Sequence, residues 1–156
     1  MDLELARNFL IALAIGALVG AEREKKKKDD PTQSFGGLRT HILIALVGAT
    51  SAWLSREFGA PWIFAATLAL VGATVLASYV FQNLRTDDDE GLGLTSEIAA
   101  IVVCLLGAMS VTGNPELAAA LGVGTSAVLA FKQPLHALVH RIGPDDMFAG
   151  IKLLVA

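Results

Sequence analysis

Residues 61–81 read PWIFAATLALVGATVLASYVF, a run of 21 positions without one charged side chain. At 1.5 Å of rise per residue, a helix of this length spans roughly 30 Å, the thickness of a bilayer's hydrocarbon core. The same pattern recurs on either side of it. Further apolar runs extend over Leu3–Ala21, His41–Leu54, Ile98–Val111 and Pro115–Phe131, while charges gather at Glu22–Asp30, Arg85–Glu90 and Lys132–Asp146. Of the 156 residues, 54% are hydrophobic and 17% charged, with a mean hydropathy of +0.59. Soluble domains carry about a quarter charged residues, so the balance belongs to a membrane protein. The expected fold is all-α: a polytopic membrane helical bundle of about five short transmembrane helices over residues 1–131. A cytoplasmic interfacial helix and the start of a further segment follow over 132–156.

The first run is read as a retained span. A cleavable signal would begin with basic residues and end at small ones, whereas this run opens Met-Asp-Leu-Glu and closes on a charge block. The shorter runs need small tilt and help from flanking Thr40, Ser96 and Thr112. The last two, joined by Thr112-Gly113-Asn114 with Pro115 in the first turn, form a helical hairpin. Basic residues set the orientation. Arg23, Lys25–Lys28, Arg39, Arg85, Lys132 and Arg141 all fall on one side, and only Arg7 and Arg56 on the other. The N-terminus is therefore expected outside and the C-terminus in the cytoplasm, with Trp53 and Trp62 at the outer interface.

Between helices in lipid there is little hydrophobic drive, so association depends on close packing at small residues. Leu-Val-Gly-Ala occurs three times, at Leu18–Ala21, Leu46–Ala49 and Leu70–Ala73. This repetition is what membrane-helix composition produces, and its spacing does not support an inverted repeat. Gly16 and Gly20 form a GxxxG stripe extended by Ala12. The expectation is that this stripe meets another chain, as a homo-oligomer or with another membrane protein.

Topology also gathers charge. The inner ends of spans one, two and four bring Glu22, Arg23, Arg39, Thr40, His41 and Glu97 to one depth, where facing lipid is costly and ionisable groups pair or line a wet cavity. Taken singly, each has an ordinary use. Glu22 and Arg23 serve as interface anchors, Arg39 as a positive-inside residue, and Ser96-Glu97 as a helix start. Taken together, they are the candidate site, with Arg39 expected to pair with Glu22 and Glu97.

Gly20-Ala21-Glu22-Arg23-Glu24 closing one helix and Gly37-Leu38-Arg39-Thr40-His41 opening the next resemble the paired signature of the MgtC/SapB family of bacterial membrane proteins. The stretches Leu94–Glu97 and Lys132–His136 resemble the branch of that family whose N-terminal domain precedes a second membrane domain. The resemblance covers roughly residues 5–141 and implies a five-span domain in the bacterial or archaeal cytoplasmic membrane. It also implies a role in divalent cation homeostasis, Mg²⁺ foremost, and the F-type ATP synthase as a candidate partner. One departure is that the fourth span lacks the family's Asp-Pro opening and its Gly-x-Gly-Phe-Leu-Gly-like stretch. Here it reads Glu97-Ile-Ala-Ala-Ile-Val-Val-Cys-Leu-Leu-Gly107.

The remaining features are weaker. Asp87 and Asp88, in the run to Glu90, offer hard oxygen ligands for Mg²⁺, and Glu22 and Glu97 are the other metal candidates. His136 and His140 stand at i,i+4 on a face opposite Leu135, Leu138, Val139 and Ile142, and an ordinary polar face explains them. Lys25–Lys28 suit anionic lipid. The single Cys104 is a small hydrophobe. No nucleotide loop, nucleophile triad or zinc-enzyme motif is present, so no enzyme is expected, no cofactor beyond a divalent cation, and no nucleic-acid partner for a chain of net charge −3. Two functions are left: a regulator acting through helix association, and a cation transporter or gating domain whose ion site is the charge layer. The final residues, Asp145–Ala156, stop in mid-pattern, as a piece of a longer protein would.

Overall fold

The computed structural model describes residues 3–29, 36–84 and 95–131. Five helices follow in chain order: α1 (Leu3–Asp29), α2 (Leu38–Glu57), α3 (Trp62–Asn83), α4 (Thr95–Val111) and α5 (Pro115–Ala130). The all-helical bundle is the architecture expected from the apolar runs. α1, α2 and α3 are each long and apolar enough to cross a membrane, and α4 and α5 are apolar helices of 17 and 16 residues. The chain divides into two compact units, Met1–Ser126 and Ala127–Ala156. Of the second, only the last turn of α5 and Phe131 are described. The predicted interfacial helix with His136 and His140, and the acidic run Asp87–Glu90, lie outside the described residues.

Hydropathy placed the end of the first span at Ala21, but the helix runs on to Asp29. Glu, Arg and Lys are good helix formers, so charge ends the apolar span without ending the helix. α2 likewise starts at Leu38, a turn before its apolar run. Its first free amide is satisfied from α1: Leu38 N–H donates to Glu24 Oε2 at 2.9 Å. A carboxylate at a helix N-terminus is favoured by both the hydrogen bond and the dipole. Gly37 makes room for it, since a Cβ there would collide with the Glu24 carboxylate.

α1, α2 and α4 form the core, each packed on the other two, with α2 against α4 the most extensive contact. α2 and α4 point the same way, because Arg56 near the end of α2 donates from Nη1 to the carbonyl of Val111, the last residue of α4, at 3.1 Å. They cross where both helices carry glycine. A Cβ at Gly48 would fall on the Cys104 carbonyl, and one at Gly107 on the Ala45 carbonyl. Each helix also has a serine three residues on. Ser51 Oγ donates to Gly48 O at 3.0 Å and Ser110 Oγ to Gly107 O at 2.7 Å, so both hydroxyls are satisfied within their own helix. Around this crossing Ala12, Ala49, Ala52, Ala108 and Val111 make one buried cluster.

The α1 stripe is used in the same way, and this corrects the expectation that it meets another chain. A Cβ at Gly16 would lie 2.7 Å from the Ile42 Cα, and one at Gly20 2.8 Å from the Leu38 Cα. Ala12 is fully buried. The stripe is the seam between α1 and α2, two helices whose short connection already brings them together, so the backbone that meets it is the chain's own.

α3 and α5 flank the core. α5 leaves α4 through the expected turn, with Gly113 at φ +111° and Ala118 N–H donating to Asn114 O at 3.0 Å. Its Ala118 packs with Ile15 and Leu106, and Gly122 faces the Ile15 side chain. α3 is tied at its start by Phe64 N–H donating to Ser55 Oγ at 2.9 Å, and from Trp62 to Phe81, Val75 alone is buried.

Candidate functional site

At the end of the core where α1 stops and α2 and α4 begin, three polar side chains are sunk among the helices: Arg23 of α1, His41 of α2 and Glu97 of α4. Their exposures are 1%, 0% and 6%. Their positions follow from local sequence. Gly20 allows α2 to approach so closely that its missing Cβ would sit 3.1 Å from the His41 Cβ, and one turn later the same face of α1 carries Arg23. Ser96 and Glu97 are in the first turn of α4, which enters the core at once through Ala99 and Ala100.

Their bonds are incomplete. Arg23 donates from Nη1 to Ser96 Oγ at 3.2 Å, leaving Nε and Nη2 without a partner. These two nitrogens form one edge of the guanidinium, the edge that grips a carboxylate with two parallel bonds. His41 Nδ1 lies 3.1 Å from Gly37 O, and because a carbonyl only accepts, the proton is on Nδ1. Its Nε2 is buried and unpartnered, as is Glu97 Oε2. Glu22 and Glu97 are close enough to Arg23 to act on it electrostatically, and Arg23 acts likewise on His41. No ion pair within 4 Å joins them. Among the described residues the one pair in that range is Arg7 Nη2 to Glu116 Oε1 at 3.8 Å, and both side chains are well exposed.

Of the six residues that the sequence gathers, Arg23, His41 and Glu97 are the buried ones, and the expected pairing through Arg39 is not found. Arg39, expected to pair with Glu22 and Glu97, is exposed, while Arg23, which had an ordinary use as an anchor, is the buried one. A helix displays one face to its core, and two adjacent arginines in different helices cannot be ranked by depth alone. Glu22 and Thr40 are half-buried at the rim. Ser96 and Glu24 have roles that the paired signature contained but did not specify, as partner to Arg23 and cap of α2. Asn8 was missed altogether: it is 9% exposed near the opposite end of α1, with Oδ1 unpartnered, and nothing in its neighbourhood marks it. As for the metal candidates, the described residues contain no group of three or more His, Cys, Asp or Glu side chains placed to hold an ion.

A bundle of apolar helices with a buried, partly unsatisfied charge layer at one end defines a polytopic membrane protein. Residues 9–138 match the MgtC family, and the chain belongs to that family, whose members are membrane proteins linked to Mg²⁺ homeostasis. No curated protein and no solved structure matches the chain.

Proposed function

We propose that this protein acts in divalent cation homeostasis as a regulator, by association with a second membrane chain, and that the associating face is on α3. The observation that carries this reading is where small residues remain uncovered. Ala65, Ala69, Ala73 and Ala77 recur every fourth position along α3 and are all exposed, and around Gly72 a Cβ would meet nothing within 4 Å. Comparable positions in α1, α2 and α4 are occupied by neighbouring backbones. Facing lipid alone, such a row gives no advantage; facing another helix, it permits close approach. The occupant proposed first is a second copy of this chain, and by family resemblance the F-type ATP synthase is the heterologous candidate. We assign no catalytic activity and no cofactor.

The competing transporter reading needs a cation among Glu22, His41 and Glu97. Arg23 already supplies a positive charge at that place, and it opposes a divalent ion there. We further propose that the charged end faces the cytoplasm of a bacterial or archaeal cell, since the basic residues concentrate there.

Cysteines at Ala69 and Ala73 should cross-link between copies in membranes, whereas one at Ala120 on α5 should not. Ala73→Leu should keep expression and helicity while losing the cross-link and growth at low Mg²⁺. Divalent cation flux by the purified protein in liposomes, abolished by Glu97→Gln, would sink the regulator reading. For orientation, Glu57→Cys should react with impermeant thiol reagents from outside, and Lys25→Cys only after the membrane is opened.

A further inference from the structure

The unsatisfied atoms at the charged end are not a random set. They comprise two donors, Arg23 Nε and Nη2, and two acceptors, His41 Nε2 and Glu97 Oε2. His41 counts as an acceptor because its proton is committed to Gly37 O. One side chain comes from each core helix, so these atoms lie where α1, α2 and α4 meet.

Three properties of this cluster define the partner it calls for. Its charge is balanced at the centre, with the Arg23 cation against the Glu97 anion and the half-buried Glu22 at the rim, so the occupant is neutral. Its hydrogen-bonding is two-sided, so the occupant must accept from a guanidinium edge and donate to an imidazole nitrogen and a carboxylate oxygen. Its burial is nearly complete, Arg23 and His41 being essentially inaccessible from outside, so the partner is small. An anion would meet Glu97 and Glu22, and a metal ion would meet Arg23. An apolar filler would leave four buried polar atoms unmet, and buried polar groups are almost always satisfied by protein or ordered water.

We infer that Arg23, His41 and Glu97 enclose a binding site for ordered water, which joins the three core helices by bridging the Arg23 edge to His41 Nε2 and Glu97 Oε2. A buried water makes about three hydrogen bonds and is part of the structure. Here it supplies the contact that replaces a direct Arg23–Glu97 ion pair. The site does not rest on the association reading, and its test leaves that reading untouched.

The full, unmodified chain, isotopically labelled in liposomes, tests it by magic-angle-spinning NMR with magnetisation transferred from water. The expected result is rapid transfer to the Arg23 and His41 side chains, at rates like those of exposed residues, with none to Ala45 or Cys104 at the helix crossing. The His41 nitrogens should show a protonated Nδ1 and a hydrogen-bonded, unprotonated Nε2. Absence of transfer to both side chains would overturn the site. So would a carboxyl–guanidinium distance between Glu97 and Arg23 as short as a direct ion pair, because the orphaned atoms would then satisfy each other.

Discussion

α2 and α3 both carry Leu-Val-Gly-Ala in mid-helix, and the two copies have opposite fates. At Leu46–Ala49 of α2, Gly48 and Ala49 are buried and the glycine is pressed against the Cys104 carbonyl. At Leu70–Ala73 of α3, Leu70 and Ala73 are exposed and nothing lies near where a Cβ of Gly72 would be. α2 is the helix around which α1 and α4 assemble, whereas α3 touches the core along one edge. A tetrapeptide that permits close approach does not say whether anything approaches. That depends on which helices the rest of the sequence brings together.

The largest effect that would sharpen this contrast comes from filling the α2–α4 crossing. Gly48→Leu or Gly107→Leu drives a side chain into the facing backbone, which cannot give way as a flexible side chain could. Loss of folded protein is expected, a cost of about 3 kcal/mol or more. Gly16→Leu should fail in the same manner, because its Cβ would meet the Ile42 backbone. Fluorescence-detected size exclusion of each variant measures this. A monodisperse, helical Gly48→Leu protein would mean that the crossing is not the foundation of the bundle.

Next in size is the charge layer. Arg23→Met removes the one buried arginine or lysine among the described residues and leaves Glu97 sunk without it, at a cost of about 3–5 kcal/mol. Arg39→Ala removes an exposed side chain and should stay within about 0.5 kcal/mol. Unfolding in mixed detergent compares the two, and the double variant Arg23→Met/Glu97→Leu should recover part of the loss, since it removes both charges together. Equal effects of Arg23→Met and Arg39→Ala would show that the layer is wet enough for burial not to matter.

These two predictions also mark how far the sequence could be read. Hydropathy runs located all five helices, because apolar length is a property of each segment alone. That Arg23, His41 and Glu97 share one end of the core was legible for the same reason, since all three flank the ends of apolar runs. Facing is a property of pairs of helices, and it was not legible. That is why sequence alone favours Arg39 over Arg23 as the pairing cation, and why it reads the Gly16/Gly20 stripe as meeting another chain. The α1–α2 seam could have been anticipated from one signal: a glycine stripe on a helix followed by another that is entered through Gly36-Gly37, which also lack side chains.

A smaller effect is expected at the opposite end of the α2–α4 pair. Arg56→Ala removes the hydrogen bond from Nη1 to the Val111 carbonyl. That carbonyl ends a helix beside the exposed Arg56, where another donor can replace it, so the loss should be about 1 kcal/mol. A larger loss would mean that Arg56 fastens α2 to α4 as firmly as the glycine crossing does.

The smallest effect is on α3 itself, and it is the one that decides what α3 is for. Gly72→Ala adds a methyl group into open space and replaces a poor helix former with the best one. The monomer's stability should therefore be unchanged or rise by up to about 1 kcal/mol, where Gly48→Ala must lose. Gly72→Leu extends the comparison, since in a monomer surrounded by lipid a leucine there is as acceptable as the neighbouring exposed Leu70 and Leu76. If α3 receives a second chain, Gly72→Leu should leave folding intact and still reduce cross-linking through Ala73→Cys, because the larger side chain holds the two backbones apart. Unchanged cross-linking with unchanged folding would make the alanine row of α3 a lipid-facing surface, and association would have to be sought elsewhere on the bundle.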